Sequence, residues 1–230
     1  SVWESWSANG ALNSDPRNRR TVSRNFDTER GPILLAGGTT IASTQKSDDG
    51  QGAEDYQRVY ANGPLYAPVT GHYSYIYGRT GLEQTYNDEL SGTGDSQLFR
   101  RILGELSGTP AQGATIQTTL DPNAQQAASN ALGGRTGAVI AMDYTTGAIL
   151  TWASTPGYDP NELSSTDLES TQAAWDRLNS DEGRPLEDRA TQEIYPPGST
   201  FKLIVASAAL EDGMGADSTV ESPTTLPLDN

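Results

Sequence analysis

The most informative segment of the sequence is Tyr195-Pro196-Pro197-Gly198-Ser199-Thr200-Phe201-Lys202. It leads into residues 203–210, which are apolar at nearly every position and therefore predict a buried core helix. Ser199 and Lys202 lie three residues apart, so on a helix they share one face, with Cβ atoms about 5–6 Å apart. A lysine there can accept the serine proton once burial disfavours its charged form, and the positive helix N-terminus favours a developing alkoxide.

A second interpretation of these residues involves no catalysis. Ser199 then only caps the helix N-terminus, and Lys202 extends its charged end to water. The residues alone favour neither interpretation over the other.

The other lysine of the chain, Lys46, also follows a serine by three residues, in Ser43-Thr44-Gln45-Lys46. It runs into Ser-Asp-Asp-Gly-Gln-Gly, so residues 46–52 predict a solvated loop with no helix to hold the pair. We therefore expect no function for the Ser43–Lys46 pair.

Composition excludes several classes of protein. The 230 residues carry 30 Asp and Glu against 15 Lys and Arg, a net charge of −15, which argues against binding nucleic acid or anionic lipid. The absence of cysteine excludes disulfides and thiolate chemistry. The single histidine, His72, leaves no histidine cluster for zinc and disfavours a Ser-His-Asp triad. We expect His72 to be structural, and we expect no metal or cofactor.

Turn residues divide the chain into short elements. The predicted strands are 30–44 around a Gly37-Gly38 turn, 114–120, and a hairpin of 138–144 and 148–154 around Thr145-Thr146-Gly147. The predicted helices are 80–91 ending at Gly92, 123–132 capped by Asp121-Pro122, a short one near 173–178, and 200–211. Small residues at 108–113 predict a domain boundary.

With these elements in place, the stretch 195–202 resembles the nucleophile motif of penicillin-binding transpeptidases. Residues 136–150 resemble the opening hairpin of that domain, 154–161 its Pro-x-x-Asp-Pro-Asn loop, and 184–190 the stretch before the nucleophile. Residues 30–33 and 77–83 resemble motifs of the non-catalytic pedestal of class B members. Ala36-Gly37-Gly38 and Pro-Thr-Thr-Leu-Pro at 223–227 resemble the actinobacterial penicillin-binding protein A branch.

This resemblance implies an α+β fold. A mostly-β pedestal, residues 1–112, precedes the start of a β-lactamase-like transpeptidase domain, residues 113–230, with a sheet and a buried nucleophile helix. The pedestal positions expected to be structural are Arg30, Gly31, Gly78, Gly81 and Glu83. We also expect Arg30 and Glu83 to form an ion pair.

The implied activity is a two-step acyl transfer that cross-links D-Ala–D-Ala stem peptides and is blocked by β-lactams. Ser199 is the expected nucleophile, Lys202 the base, and the Ser199 N–H half of the oxyanion hole, with Gly198 and Thr200 beside them. The Ser-x-Asn and Lys-Thr-Gly motifs of the family do not occur after Ser199, so we expect the protein to continue in further residues and this piece alone to be inactive.

The resemblance leaves other functions of the same fold open. They are a serine β-lactamase or carboxypeptidase, and a non-catalytic penicillin sensor or divisome scaffold. The implied partners are stem peptides, β-lactams, a polytopic glycosyltransferase, and division or elongation proteins. The implied location is the extracytoplasmic face of the bacterial membrane, with an N-terminal anchor that is absent here.

Overall fold

The computed structural model describes residues 29–47, 55–94, 113–215 and 217–219. By its contacts the chain divides into two compact units, Ser1–Gln192 and Glu193–Asn230, and each is described by itself. The strands are β1 Ile33–Leu34, β2 Thr40–Ser47, β3 Asp55–Tyr60, β4 Tyr73–Ser74, β5 Gly78–Arg79, β6 Ile116–Gln117, β7 Gly137–Met142 and β8 Ile149–Thr155. The α-helices are α1 Gly63–Thr70, α2 Gly81–Thr85, α3 Asn87–Ser91, α4 Pro122–Leu132, α5 Leu168–Ser180, α6 Arg189–Gln192 and α7 Lys202–Glu211, with 3₁₀ helices at Pro160–Leu163 and Gly198–Phe201.

The first part of the chain is built on a sheet with strand order β3-β2-β1-β6. β2 is antiparallel to β1 and β3, with Ala42 opposite both Ile33 and Tyr60. β6 runs parallel to β1, with Ile116 opposite Ile33. The core on this sheet includes the fully buried Ile33 and Leu90. Residues before and after position 112 therefore share one sheet.

The predicted hairpin and the helix before it are present. Asp121 accepts a hydrogen bond from the backbone of Ala124 at 2.8 Å, which caps α4, and Gly133 ends this helix in the left-handed region at φ 54°. β7 and β8 pair antiparallel from Gly137 opposite Thr155. α4 packs on the hairpin through a small core of Ala128, Leu132 and Ala153.

Four elements differ from their predictions in extent. The helix predicted at 80–91 is two short helices, because Tyr86 leaves helical geometry at φ −108° and ψ 31°. The strand predicted at 114–120 is limited to 116–117, and the helix near 173–178 extends over 168–180 because Asp167 caps it earlier. β2 continues through Ser47, so Lys46 lies in a strand rather than a loop. Residues 48–52 of that loop, and 108–112 of the predicted boundary, lie outside the described residues.

The second unit contains the 3₁₀ helix Gly198–Phe201 and α7, which ends before Gly213 at φ 89°. The prediction that α7 is buried is wrong for this chain, because Leu203 is 74% exposed and Ile204 61%. A helix that is apolar all round gains stability by burying that surface against other elements. Within the described residues those side chains remain exposed.

Candidate active site

The first part of the chain has a buried charge cluster centred on the carboxylate of Glu83. The predicted ion pair is present, with Arg30 Nε 2.6 Å from Glu83 Oε2. Arg58 Nε lies 2.7 Å from the other carboxylate oxygen, and the Tyr60 hydroxyl donates to that oxygen at 3.1 Å. The guanidinium groups of Arg30 and Arg58 both bind the Glu83 carboxylate. This links β3 and the residues before β1 to α2.

Sequence reasoning missed Arg58. The available signal was its position in β3, two residues before the buried Tyr60, which places both side chains on one face of the strand. Burial and the neighbouring Glu83 carboxylate raise the pKa of Tyr60 well above its ordinary value. Tyr60 therefore keeps its proton and remains a hydrogen-bond donor to Glu83.

Two glycines of the predicted pedestal set sit where a side chain would collide. A Cβ on Gly31 would lie 1.9 Å from the Ala114 carbonyl oxygen. Gly81 has φ +55°, and a Cβ there would lie 2.6 Å from the Gly71 nitrogen. A Cβ on Gly78, at φ +78°, would meet nothing within 4 Å, so this position needs glycine only for its backbone conformation.

Two amide side chains, the buried Gln125 and the partly buried Asn161, join distant segments of the first unit. Asn161 Oδ1 accepts a hydrogen bond from the Tyr60 N–H at 2.9 Å, and Asn161 Nδ2 donates to the Tyr60 carbonyl at 2.9 Å. The Asn161 side chain thus pairs with the backbone of β3 as a neighbouring β-strand would. Gln125 Nε2 donates to the Trp152 carbonyl at 2.8 Å, and Gln125 Oε1 accepts a hydrogen bond from the Trp152 N–H at 2.8 Å. Gln125 Nε2 also donates to the Leu65 carbonyl of α1. The sequence does not single out Gln125, and it marks Asn161 only as the last residue of the loop 154–161, because their partners lie 27 to 101 residues away.

His72 has the structural setting that the sequence predicts. It is 3% exposed, its Nδ1 lies 2.8 Å from the Tyr158 hydroxyl, and its ring meets the edge of Trp175 at 6.3 Å between centroids. Burial lowers the pKa of His72 to about 4, and the Glu83 charge opposes that shift only in part. His72 is therefore neutral at pH 7, and its ring packs against Tyr158 and against Trp175 of α5.

His72 makes stability depend on pH below neutrality. Its folded pKa of about 4 lies below the ordinary 6.5, so the unfolded chain binds the proton first. This contribution is fully present above pH 6.5 and is lost as the pH falls towards 4, by at most about 3 kcal/mol. Urea unfolding of the protein at pH 7.0 and 5.0 should show the loss, and His72→Asn should reduce it. An equal pH dependence in both proteins would contradict the assignment.

The two proposed catalytic residues lie one turn apart in the second unit. Ser199 is in the 3₁₀ helix, Lys202 begins α7, and the Lys202 N–H donates to the Ser199 carbonyl. Side chains three apart in a 3₁₀ helix eclipse one another, so both lie on the same side. Both residues are exposed. Gly198 adopts φ +54°, which turns the chain just before Ser199, and Thr200 donates to the Pro197 carbonyl.

The other Ser-x-x-Lys pair has a different geometry. Ser43 and Lys46 both belong to β2. Residues three apart in a strand point to opposite faces. The structure therefore separates the Ser43 and Lys46 side chains.

Two family models match the chain. The penicillin binding protein A dimerisation domain matches residues 30–116, and the penicillin binding protein transpeptidase domain matches residues 137–227. The chain is 40% identical over 232 residues to the peptidoglycan D,D-transpeptidase PbpA of Mycolicibacterium smegmatis, which covers 99% of the chain and 46% of that relative. The chain belongs to the class B penicillin-binding proteins.

Solved structures of this family agree with the fold. Penicillin-binding protein A of M. tuberculosis, as an imipenem acyl-enzyme complex, superposes with a TM-score of 0.78 at 38% identity, over 83% of this chain and 44% of that one. Its penicillin G acyl-enzyme complex gives the same values. The chain thus spans less than half the length of these relatives. These matches support the predicted α+β fold and the likeness to the penicillin-binding protein A branch.

Neither a membrane-spanning helix nor a metal-binding cluster is found among the residues that the structure describes. No helix there has both the length and the apolar character needed to cross a membrane. In the same residues, no group of three or more acidic or histidine side chains is placed to hold a metal ion.

Proposed function

We propose that the protein cross-links peptidoglycan by acyl transfer from D-Ala–D-Ala stem peptides through an acyl-enzyme at Ser199. The observation that carries this is the pairing of Ser199 and Lys202 one turn apart inside the stretch 195–202, within the residues matched by the transpeptidase model. Relatives with the name peptidoglycan D,D-transpeptidase, and acyl-enzyme complexes of a solved relative, support it.

In this mechanism the Ser199 hydroxyl attacks the amide carbonyl between the two D-alanines while Lys202 takes its proton. The negative charge on the carbonyl oxygen is stabilised by the Ser199 N–H. Breaking the amide bond releases D-alanine, which leaves with the proton from Lys202. An amine of a neighbouring strand then attacks the ester, gives up a proton, and restores the Ser199 hydroxyl.

Other parts of the proposal follow from the substrate. A β-lactam acylates Ser199 in the same first step. The protein acts at the extracytoplasmic face of the bacterial membrane, where peptidoglycan lies, beside a polytopic glycosyltransferase and division or elongation proteins. Residues 1–112 serve as the pedestal, and residues 113–230 begin the catalytic domain.

Mass spectrometry of the full-length protein tests this function. After incubation with penicillin G and digestion with trypsin, we expect the adduct in the peptide 190–202, on Ser199. No adduct on the full-length protein would favour a non-catalytic scaffold. An adduct lost within seconds would indicate a β-lactamase, and release of D-alanine without cross-linking a carboxypeptidase.

A further inference from the structure

We propose that Arg189 is a positioning residue for acylation, which fixes the point from which the chain runs to the nucleophile. The inference rests on the proposed role of Ser199. Arg189 begins α6 and is 2% exposed, although arginine is among the residues least often buried.

The guanidinium group of Arg189 gathers backbone carbonyls from two segments. Nη1 lies 3.4 Å from the carbonyl oxygens of Pro156 and Arg184, and Nη2 donates to the carbonyl of Gly183. The Arg189 N–H donates to the Ser154 hydroxyl at 3.1 Å. One side chain thus holds the end of the hairpin, the loop at 183–187 and the first turn of α6 together.

The neighbouring Asp188 adds a second attachment to the same strand. Trp152 Nε1 donates to its carboxylate at 2.9 Å, and the Ala190 N–H and the Thr191 hydroxyl donate to it at 3.1 Å each. Trp152 and Ser154 are two residues apart in β8, so they lie on one face of the strand. α6 is therefore held in a fixed register against β8.

The register of α6 bears on catalysis through the short connection that follows. α6 ends at Gln192, and Ser199 comes seven residues later. Pro196 and Pro197 restrict the backbone in that connection. A shift of about 1 Å in a reacting group can slow a reaction about 10²-fold, so we expect displacement of the start of this segment to slow acylation.

Lysine cannot take over this role. Arginine presents five N–H donors in a rigid planar fork, whereas the lysine ammonium is a single point with three donors. Carbonyls that approach from the hairpin and from the loop match the fork. Arg189→Lys keeps the charge and removes this geometry.

Acylation kinetics of the full-length protein test the proposal. With a fluorescent penicillin, the dependence of labelling rate on concentration separates initial binding from the acylation rate constant. For Arg189→Lys we expect an acylation rate constant lower by about 10- to 100-fold, with initial binding changed less than about twofold. Arg177→Lys, an exposed arginine paired with Glu162, is the matched control and should behave as wild type.

Thermal unfolding of each variant separates positioning from stability. The Glu83→Gln protein, destabilised in the pedestal, should keep its acylation rate constant once corrected for the unfolded fraction. Wild-type acylation in Arg189→Lys, or a loss that the unfolded fraction accounts for, would overturn the proposal. If Arg189→Lys does not fold, Ser154→Ala provides the test, because it removes the hydroxyl that holds the Arg189 N–H. We expect acylation about 3- to 10-fold slower in this variant, and an unchanged rate would overturn the proposal. Failure of wild-type Ser199 to label would instead overturn the proposed function.

Discussion

Glu83→Gln is expected to lower the free energy of unfolding by about 3–5 kcal/mol, a large share of the roughly 5–15 kcal/mol of a typical domain. The substitution keeps the shape of the side chain and removes its charge. Arg30 and Arg58, both nearly fully buried, would then lose the carboxylate that neutralises them. Urea unfolding followed by circular dichroism measures the change.

Glu162→Gln provides the control for this prediction. Glu162 also pairs with an arginine, Arg177, at 2.6 Å, but the two side chains are 43% and 57% exposed. Solvent screens such a pair, so its loss should change stability by less than about 1 kcal/mol. Similar losses in the two variants would show that burial of the Glu83 cluster is not what makes it stabilising.

The parts of the fold that the sequence predicts well are those set by local chemistry. Asp121-Pro122 begins α4 and Gly133 ends it, and the Thr145-Thr146-Gly147 turn joins two alternating strands. Each of these signals acts within a few residues. The Arg30–Glu83 pair spans 53 residues, and the sequence predicts it only because both residues lie in motifs that resemble those of class B pedestals.

The parts that the sequence does not reveal depend on distant partners. Arg58 and Gln125 are ordinary polar residues in sequence, and Asn161 stands out only as the end of the loop 154–161. The fold alone gives these three side chains the backbone groups that they bind. The extent of β2 likewise depends on pairing with β3, which carries Lys46 into the sheet opposite Tyr56. The apolar pattern of α7 predicts burial, but such a pattern does not identify the elements that pack against the helix.

The two Ser-x-x-Lys pairs allow the catalytic assignment to be tested within one chain. In the full-length protein, Ser199→Ala should reduce penicillin labelling by about 10⁴-fold or more, because the attacking oxygen is gone. Lys202→Gln should slow labelling by about 10²- to 10⁴-fold, the usual contribution of a general base. Ser43→Ala and Lys46→Gln repeat the same changes in a strand whose geometry separates the two side chains, and should leave labelling unchanged. Persistent labelling of Ser199→Ala would place the nucleophile elsewhere and leave the stretch 195–202 only a structural role.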